Sequence, residues 1–401
     1  LESNIRTSIE EGSLFIGYYG HSGWDAWSDE RILSIDIINQ LNESYSFPIM
    51  SSSSCTFGYF DYINRPSAAE LLVLRPHSGA IAILTTTRTA NTGSIEDIIQ
   101  AFVQKLTDKS SGKVSTIGDA YLYGKKHHAS AVYKFVLLGD PGLKAAIPQY
   151  TVQTLRINGQ DIASSEPDTL KALSPITIEG IITDNQGQLL DNFNGTLITK
   201  IYDKKTTETT LGNYNPQDRR QNEKVSYQTQ NSLLFQGYSE VEDGRFSVSF
   251  IVPKDIQYNY GNGKIEYYAY SNTTDANGCF EDIVVGGFNS EAILDTMPPV
   301  VDLYINKNNY ITGTVGESPY LYAEISDHFG INTTGTGIGH NMTLVIDEDF
   351  SNPIVVNNLF RYNPGSYTEG TLSYPLNLER GEHTAQLKVW NINNISTTES
   401  I

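Results

Sequence analysis

The first third of the chain alternates short apolar runs with segments of helical periodicity. The apolar runs predict buried strands at SLFIGYY (13–19), FPIMSSS (47–53), GAIAILTT (79–86) and KFVLL (134–138). Helical patterns lie around them, over residues 31–42, 67–75, 95–108 and 118–130. Continuous apolar strands that alternate with helices are typical of a parallel sheet covered on both faces. We therefore predict an α/β domain over residues 1–148.

The helical patterns disappear after Pro148. Alternating segments follow instead, at TIEGIIT (177–183), GTLITKIYD (195–203), GRFSVSFIV (244–252) and GKIEYYAYS (263–271), with turn signals such as Asp243-Gly244 between them. The polar run 204–235 predicts a long insertion. The pattern resumes after Asp295-Thr296-Met297-Pro298-Pro299, in VVDLYI, SPYLYAEIS, NMTLVID and HTAQLKVWNI. Short alternating segments separated by turns predict two β-sandwiches, over residues 149–294 and 295–401.

Composition narrows the functional classes. The 401 residues carry a formal net charge of -19, and a chain this acidic repels phosphate backbones, which argues against nucleic-acid binding. The only two cysteines, Cys55 and Cys279, lie far apart, so a disulfide framework is not expected. No apolar run reaches the roughly 18 residues that a membrane span needs. The chain starts at Leu1, in a helical pattern, so we interpret it as a piece of a longer protein.

Two chemically active side chains follow two successive predicted strands. His21 comes after SLFIGYYG, and Cys55 comes after FPIMSSSS. The carboxyl ends of parallel strands meet at one edge of a sheet, so imidazole and thiol meet there if the strands are neighbours. A paired imidazole can take the thiol proton and return it to a leaving amine. The alternative is a small buried cysteine and a structural histidine.

The residues after His21 suit a substrate cleft. Ser22 and Gly23 are small, so the backbone can come close to a substrate. The backbone N–H groups of Ser22 and Cys55 would then form an oxyanion hole. Trp24 and Trp27 follow directly and predict a shaped cleft.

Other polar residues leave more than one interpretation open. Arg88 follows the third predicted strand, on the same edge of the sheet. It lines the substrate cleft or binds a carboxylate, and a solvated loop is the equally weighted alternative. Several acidic residues near His340 invite a Ca²⁺ site, but no loop of the D-x-D-x-D-G type is present, which favours a solvated surface. We therefore expect no metal or other cofactor. These acidic residues are Asp295, Asp302, Asp327 and Asp347.

Four motifs together carry a resemblance to a known family. They are Tyr19-Gly20-His21-Ser22-Gly23 with Trp27; Ser53-Ser54-Cys55; Gly79-Ala80-Ile81-Ala82 leading into Thr85-Thr86-Thr87; and Val136-Leu137-Leu138-Gly139-Asp140-Pro141-Gly142-Leu143. In this order they resemble the second half of the catalytic domain of the gingipains, peptidase family C25. The resemblance implies a caspase/gingipain-like parallel sheet flanked by helices, here a partial domain, followed by two all-β immunoglobulin-like sandwiches.

The resemblance also implies roles for the two active side chains. Cys55 matches the family's nucleophile and His21 its general base. The family usually has Gly where this chain has Ser22; an oxyanion donor there is a backbone N–H, which serine keeps. The family's acidic partner of the histidine and the first half of the domain would precede Leu1. We therefore expect the chain to be inactive by itself.

Motifs of the later domains resemble one branch of the family, the surface sortases of the type IX secretion system. They are Asp191-Asn192-Phe193-Asn194-Gly195, Tyr202-Asp203-Lys204, Asp327-His328-Phe329-Gly330-Ile331-Asn332 and Gly337-Ile338-Gly339-His340. This implies an exported protein of the cell surface and outer membrane. It would remove the C-terminal sorting domain of secreted cargo through a thioester and pass the cargo to lipopolysaccharide. The implied partners are cargo, lipopolysaccharide and outer-membrane secretion proteins of the PorV type. The alternative is a non-catalytic scaffold or adhesion protein.

Overall fold

The computed structural model describes residues 2–90, 92–110, 112–127, 133–163, 169–212, 223–306, 316, 319–334 and 339–401. Contacts between Cα atoms divide the chain into two compact units, Leu1–Ile147 and Pro148–Ile401. Residues 337 and 338, which belong to the last sequence motif, lie outside the described residues.

The first unit is an α/β domain around a four-stranded sheet. Its helices are α1 (Glu2–Glu10), α2 (Ile35–Asn39), α3 (Ala68–Leu74), α4 (Thr92–Thr107) and α5 (Ile117–His127). Its strands are β1 (Phe15–Tyr19), β2 (Ala26–Trp27), β3 (Leu33–Ser34), β4 (Ile49–Ser53), β5 (Ala82–Thr86) and β6 (Phe135–Gly139). The main sheet has the order β1-β4-β5-β6, while β2 and β3 form a separate small hairpin.

The four apolar runs all form strands, but the sheet is not wholly parallel. Strand β1 pairs with β4 and β4 with β5 in parallel, whereas β6 runs antiparallel to β5. The prediction of a parallel sheet is therefore wrong for its last strand. Two helices, α4 and α5, separate β5 from β6. The first returns the chain to the amino end of the sheet and the second brings it back, so β6 starts beside the carboxyl end of β5.

The predicted helix over residues 31–42 is also wrong in extent. Leu33 and Ser34 pair with Ala26 and Trp27 as a short antiparallel ladder. Only the five residues of α2 are helical, and the Ser34 hydroxyl caps them by accepting from the Ile37 N–H. The local apolar spacing was compatible with a helix, but pairing with the preceding segment prevails.

Buried side chains cover both faces of this sheet, as predicted. Neighbouring residues of a strand point to opposite faces. Met50 and Ile83 accordingly join one core cluster, with α1 and α3. Ile49, Ala82 and Leu84 join the other cluster, with α4 and α5.

The second unit contains strands and a single 3₁₀ helix, Asn357–Leu359, among its described residues. In chain order its first strands are β7 (Tyr150–Ile157), β8 (Gln160–Asp161), β9 (Thr169–Ala172), β10 (Pro175–Thr183), β11 (Gly195–Tyr202), β12 (Thr206–Thr209), β13 (Ser226–Thr229), β14 (Leu233–Glu242), β15 (Arg245–Ile251), β16 (Gly261–Asn262), β17 (Lys264–Tyr270), β18 (Asp275–Phe280) and β19 (Val284–Phe288). They form an eight-stranded sheet of order β10-β15-β14-β11-β17-β18-β7-β8, with two smaller sheets, β16-β19-β9 and β12-β13.

Two features of this part were expected from the sequence. Asp243 and Gly244 form the tight turn between β14 and β15, with φ values of 48° and 70°. Both residues need positive φ there, which is why the Asp-Gly pair predicts this hairpin. The polar insertion contains the hairpin of β12 and β13, and its residues 213–222 lie outside the described chain.

The remaining strands form two further four-stranded sheets. These strands are β20 (Val300–Ile305), β21 (Tyr320–Ser326), β22 (Thr343–Ile346), β23 (Ile354–Val355), β24 (Arg361–Tyr362), β25 (Glu369–Pro375), β26 (Ala385–Trp390) and β27 (Ser396–Ser400). Their orders are β20-β21-β25-β24 and β23-β22-β26-β27. One hydrophobic cluster extends from Val152 to Val389, and Phe235 stacks on Tyr362 at 5.5 Å between ring centroids. The boundary near residue 295 stays a prediction, because residues 148–401 form one compact unit.

Candidate active site

The register of two strands brings His21 and Cys55 to the same edge of the sheet. Tyr19 at the end of β1 pairs with Ser53 at the end of β4. The Gly20 N–H then donates to the Ser53 carbonyl at 3.2 Å. His21 and Cys55 each lie two residues beyond this last pair, and neighbouring strands are about 4.8 Å apart. The predicted adjacency of the two strands is confirmed; the catalytic roles of the two residues stay a prediction.

A second short hairpin, over residues 21–28, holds the backbone of His21 in place. The His21 carbonyl accepts two hydrogen bonds, from the Tyr18 hydroxyl at 2.6 Å and from the Ser28 N–H at 2.8 Å. The Gly23 N–H donates to the Ala26 carbonyl at 3.0 Å. The histidine side chain is exposed, so its imidazole is open to a substrate.

The backbone N–H of Ser22 does not take part in the hydrogen bonds of this hairpin. Ser22 faces Trp27 across the hairpin, and the two hydrogen bonds beside this pair are donated by the N–H groups of Gly23 and Ser28. The Ser22 Oγ is buried and has no hydrogen-bond partner among the described residues. The serine side chain therefore points into the protein, and its backbone N–H stays compatible with the predicted oxyanion role.

Trp27 lies beneath the site and does not line a cleft. Its side chain is only 1% exposed. The ring stacks on Tyr18 at 4.5 Å between centroids and packs against Phe57 at 5.4 Å. The prediction that Trp27 lines the substrate cleft is therefore corrected: the ring supports the hairpin from inside the core, where its large apolar surface is removed from water.

Two buried hydroxyls connect this hairpin to the strand that carries Cys55. Trp27 Nε1 donates to Ser52 Oγ at 2.9 Å. Ser52 Oγ and Ser54 Oγ share a further hydrogen bond of 2.6 Å. Both serines are completely buried, so these bonds are protected from competition by water. The hairpin and the residue before Cys55 are thereby held by one network.

Thr86 anchors the backbone around Cys55, and sequence reasoning gave it no role. Its hydroxyl lies 2.5 Å from the Ser54 carbonyl oxygen and 2.6 Å from that of Cys55. Its own carbonyl accepts from the Gly58 N–H at 3.0 Å. The end of β5 therefore holds the turn that contains the thiol, which is free and partly exposed. The signal in the sequence was the Thr85-Thr86-Thr87 motif at the end of the third apolar run.

Gly58 allows the Cys55 turn to pack closely on β5. A Cβ atom at this position would lie 2.3 Å from Thr85 Cγ2 and 3.3 Å from the Thr86 carbonyl oxygen. Only glycine fits so close to the neighbouring strand. The turn cannot lift away from β5 without losing the Thr86 contacts.

The segment 56–66, which we call the Cys55 loop, takes part in contacts between arginines and aromatic rings. Arg65 lies over the ring of Trp24, with its guanidinium carbon 3.5 Å from the ring centroid. Arg88 lies over the Tyr59 ring at 4.4 Å. Trp24 is partly exposed and faces this loop, so it remains a candidate cleft residue.

Arg88 forms an ion pair with a carboxylate of the protein itself. Its two terminal nitrogens donate to the two oxygens of Asp61 at 2.9 and 2.6 Å. These hydrogen bonds hold the pKa of the Asp61 carboxyl below its usual value. The carboxylate that Arg88 binds therefore belongs to the Cys55 loop. A role of Arg88 in the substrate cleft stays a prediction.

The acidic residues considered for Ca²⁺ are spread over several places. Asp295 and Asp327 both accept from Asn391 Nδ2, at 3.0 and 3.1 Å. Asp347 accepts from His383, and Asp302 is exposed on β20. Among the described residues, no three His, Cys, Asp or Glu side chains are arranged to hold a metal ion.

Two further residues of the sequence motifs contribute to structure in the second unit. Lys204 Nζ donates to Asp203 at 2.6 Å and to the Gln257 carbonyl at 2.8 Å. Each side chain of this ion pair is 6% exposed. Because these charges are buried this deeply, removal of either side chain would leave an uncompensated buried charge at this end of β11. None of the described helices is long and apolar enough to cross a bilayer.

The first unit matches a family of cysteine peptidases over nearly its whole length. Residues 1–146 match the family model of peptidase family C25. This match confirms the resemblance that the sequence motifs predicted, and it identifies the first unit as a segment of a C25 peptidase domain.

Solved structures of the same kind are similar to the chain. PorU from Porphyromonas gingivalis, crystallised as a latent dimer, shares 27% identity over 82% of this chain and 31% of its own, with a TM-score of 0.41. The Arg-specific cysteine proteinase gingipain R shares 16% identity over 71% of this chain and 56% of its own, with a TM-score of 0.35. The chain thus spans 31% of the length of PorU. No curated protein matches it significantly.

Proposed function

We propose that the protein to which this chain belongs is a cell-surface cysteine endopeptidase and transpeptidase, with Cys55 as nucleophile and His21 as general base. The observation that carries the proposal is the register of β1 and β4 within a C25 segment. It gives an imidazole and a thiol the same position beyond two neighbouring strands. The exposed His21 and the partly exposed Cys55 are both open to a peptide.

The proposed reaction uses groups at this edge of the sheet. The His21 imidazole takes the thiol proton, and the Cys55 thiolate attacks the carbonyl carbon of the scissile bond. The backbone N–H groups of Ser22 and Cys55 stabilise the oxyanion. The C–N bond then breaks, the imidazolium gives its proton to the leaving amine, and a thioester remains. Water or an amine takes the acyl group and releases the thiol.

The resemblance of the second-unit motifs to surface sortases supports a proposal for the substrate. The proposed leaving group is the C-terminal sorting domain of a type IX secretion cargo, and the proposed acceptor amine belongs to lipopolysaccharide. The proposed location is the cell surface at the outer membrane, next to secretion proteins of the PorV type. The second unit carries docking surfaces for these partners. No cofactor takes part in this scheme, since thiol and imidazole supply the nucleophile and the proton transfers.

The test is the size of secreted cargo in a strain that carries Cys55→Ala in the full-length protein. Without the thiol no thioester forms, so cargo should keep its sorting domain and stay free of lipopolysaccharide on an immunoblot. Cys279→Ala is the matched control, because this free cysteine is exposed on β18 of the second unit and its substitution should leave processing normal. Normal processing in the Cys55→Ala strain, with the protein at normal level, would support the scaffold alternative.

A further inference from the structure

Arg65, which has no carboxylate partner among the described residues, lies at the edge of the proposed active site. Arg65 is exposed, and its guanidinium stacks on the Trp24 ring at 3.5 Å and lies 5.0 Å from the Tyr62 ring centroid. Within the described parts of the chain, no Asp or Glu forms an ion pair with it. Stacking on aromatic faces orients the planar guanidinium and leaves its N–H edge available for other contacts.

The nearby Arg88 gives a direct comparison. It also stacks on an aromatic ring of the Cys55 loop, but both of its terminal nitrogens bind Asp61. Its charge is thereby neutralised within the protein. The charge of Arg65 is not neutralised by any Asp or Glu of the described residues, although the chain as a whole has a formal net charge of -19. An arginine of this kind is available to an external carboxylate.

The backbone places Arg65 between the two catalytic segments. Trp24 belongs to the hairpin that starts at His21, and its carbonyl accepts from the Ala68 N–H at 2.8 Å. Ala68 is the first residue of α3, and its capping residue Ser67 directly follows the Cys55 loop. The loop is therefore fixed at one end by Cys55 and Thr86, and at the other by the hairpin. Arg65 bridges the segment that follows the base and the segment that follows the nucleophile.

We propose that Arg65 forms a subsite for the carboxylate side chain of an Asp or Glu residue in the peptide substrate, close to the scissile bond. The proposal rests on the proposed peptidase function and adds a substrate class to it. A stacked guanidinium presents two parallel N–H donors that match the two oxygens of a carboxylate. Arg65 would act in binding and would take no part in proton transfer.

The experiment uses the full-length protein and a proteome-derived peptide library, with cleavage sites read by mass spectrometry. The wild-type protein, Arg65→Gln, Arg65→Lys, Cys55→Ala and Lys126→Gln are compared. Lys126 is an exposed cation on α5 of the same unit, so its substitution matches the change in net charge. Wild type and Lys126→Gln should favour Asp or Glu at one position beside the cleaved bond. For such peptides kcat/KM should fall about fivefold to tenfold in Arg65→Gln, as expected for one partly exposed ion pair.

Matched peptides with Asn or Gln at that position separate binding from a folding defect. Their kcat/KM should be the same in wild type and Arg65→Gln, and Arg65→Lys should keep part of the acidic preference. An equal loss for acidic and amide peptides would show damage to the site and would overturn the proposal. So would an acidic preference that persists in Arg65→Gln, or cleavage by wild type with no such preference.

A second measurement keeps this inference separate from the proposed function. Absence of cleavage by wild type, as in Cys55→Ala, would refute the peptidase function. The same library is therefore also captured on immobilised Cys55→Ala protein, with and without Arg65→Gln. Enrichment of peptides containing Asp or Glu that disappears with Arg65→Gln supports the carboxylate subsite without any catalysis. Equal capture by both proteins contradicts it.

Discussion

Trp27 and Ser52 are joined by a buried hydrogen bond of 2.9 Å, from the indole Nε1 to the hydroxyl oxygen. It connects the hairpin that follows His21 to strand β4, which leads to Cys55. Since Ser52 is also bonded to Ser54, the positions of the base and the nucleophile depend on one buried network. The position of His21 relative to Cys55 is thus set by side chains beneath the site.

Replacing Trp27 by Phe should therefore destabilise the first unit. The change removes the indole donor, leaves a buried serine hydroxyl with one partner fewer, and creates a cavity beside Tyr18 and Phe57. We expect the free energy of unfolding of this unit to fall by about 1–3 kcal/mol. Urea unfolding followed by circular dichroism measures it. Trp24→Phe is the control, because that ring is partly exposed, and it should cost less. Equal costs for the two variants would contradict a special role of the buried indole.

Thr86→Val should disturb the Cys55 turn at nearly constant side-chain volume. Valine keeps the shape but removes the hydroxyl that lies between the carbonyl oxygens of Ser54 and Cys55. We expect a loss of about 1–3 kcal/mol in the free energy of unfolding, as for a buried acceptor left without its donor. Thr86→Ser keeps the hydroxyl and should lose less. A Thr86→Val protein as stable as wild type would show that the two contacts contribute nothing.

Much of the first unit could be predicted from the sequence because each buried strand is a continuous apolar run. The four runs became β1, β4, β5 and β6, and their alternating faces gave the two core clusters. The direction of β6 could not be predicted in this way, since apolar runs carry no information on direction. The two helices before it contained that information. Residues 31–42 were mispredicted because the pairing of Leu33 with Trp27 is a contact between segments.

The candidate site was predictable only in part. His21 and Cys55 stand out because both are chemically active residues at strand ends. The closeness of Trp27 to His21 in the sequence predicts a cleft residue, but an indole can equally well fill the core, as it does here. The roles of Thr86 and Asp61 depend on contacts with residues about thirty positions away. Such contacts are fixed by the fold and leave no local pattern.

In the second unit, His383 should titrate at a raised pH. Its hydrogen bond to Asp347, at 2.7 Å, and a second one to the Glu379 carbonyl both raise the pKa of the imidazole. The hydrogen bonds that Asp347 accepts from His383 and from the Thr384 N–H lower the pKa of the Asp347 carboxyl. The charged histidine stabilises the fold below about pH 6.5, and this effect is lost as pH rises through its folded pKa. The stabilisation of the fold by the Asp347 carboxylate is fully present above about pH 3.9, and it is lost as pH falls through the folded pKa of Asp347.

The pair therefore contributes most between these two limits. NMR titration of the His383 ring measures its pKa directly. Asp347→Asn should move this pKa back toward its ordinary value, whereas Asp302→Asn, which changes an exposed carboxylate on β20, should leave it in place. A His383 pKa that does not respond to Asp347→Asn would show that the contact is absent in solution.

The two free thiols should react at different rates with iodoacetamide. Partial burial of the Cys279 sulfur, and then the charges of Glu281 and Glu266, raise the pKa of this thiol. A smaller fraction is therefore thiolate at neutral pH, and its alkylation should be slow and speed up as pH rises. Cys55, beside an imidazole in the proposed site, should react faster in the full-length protein at pH 7. Timed alkylation with mass spectrometry gives both rates, and His21→Ala should slow Cys55 without affecting Cys279. Equal rates for the two thiols, unchanged by His21→Ala, would remove the argument that the imidazole activates Cys55.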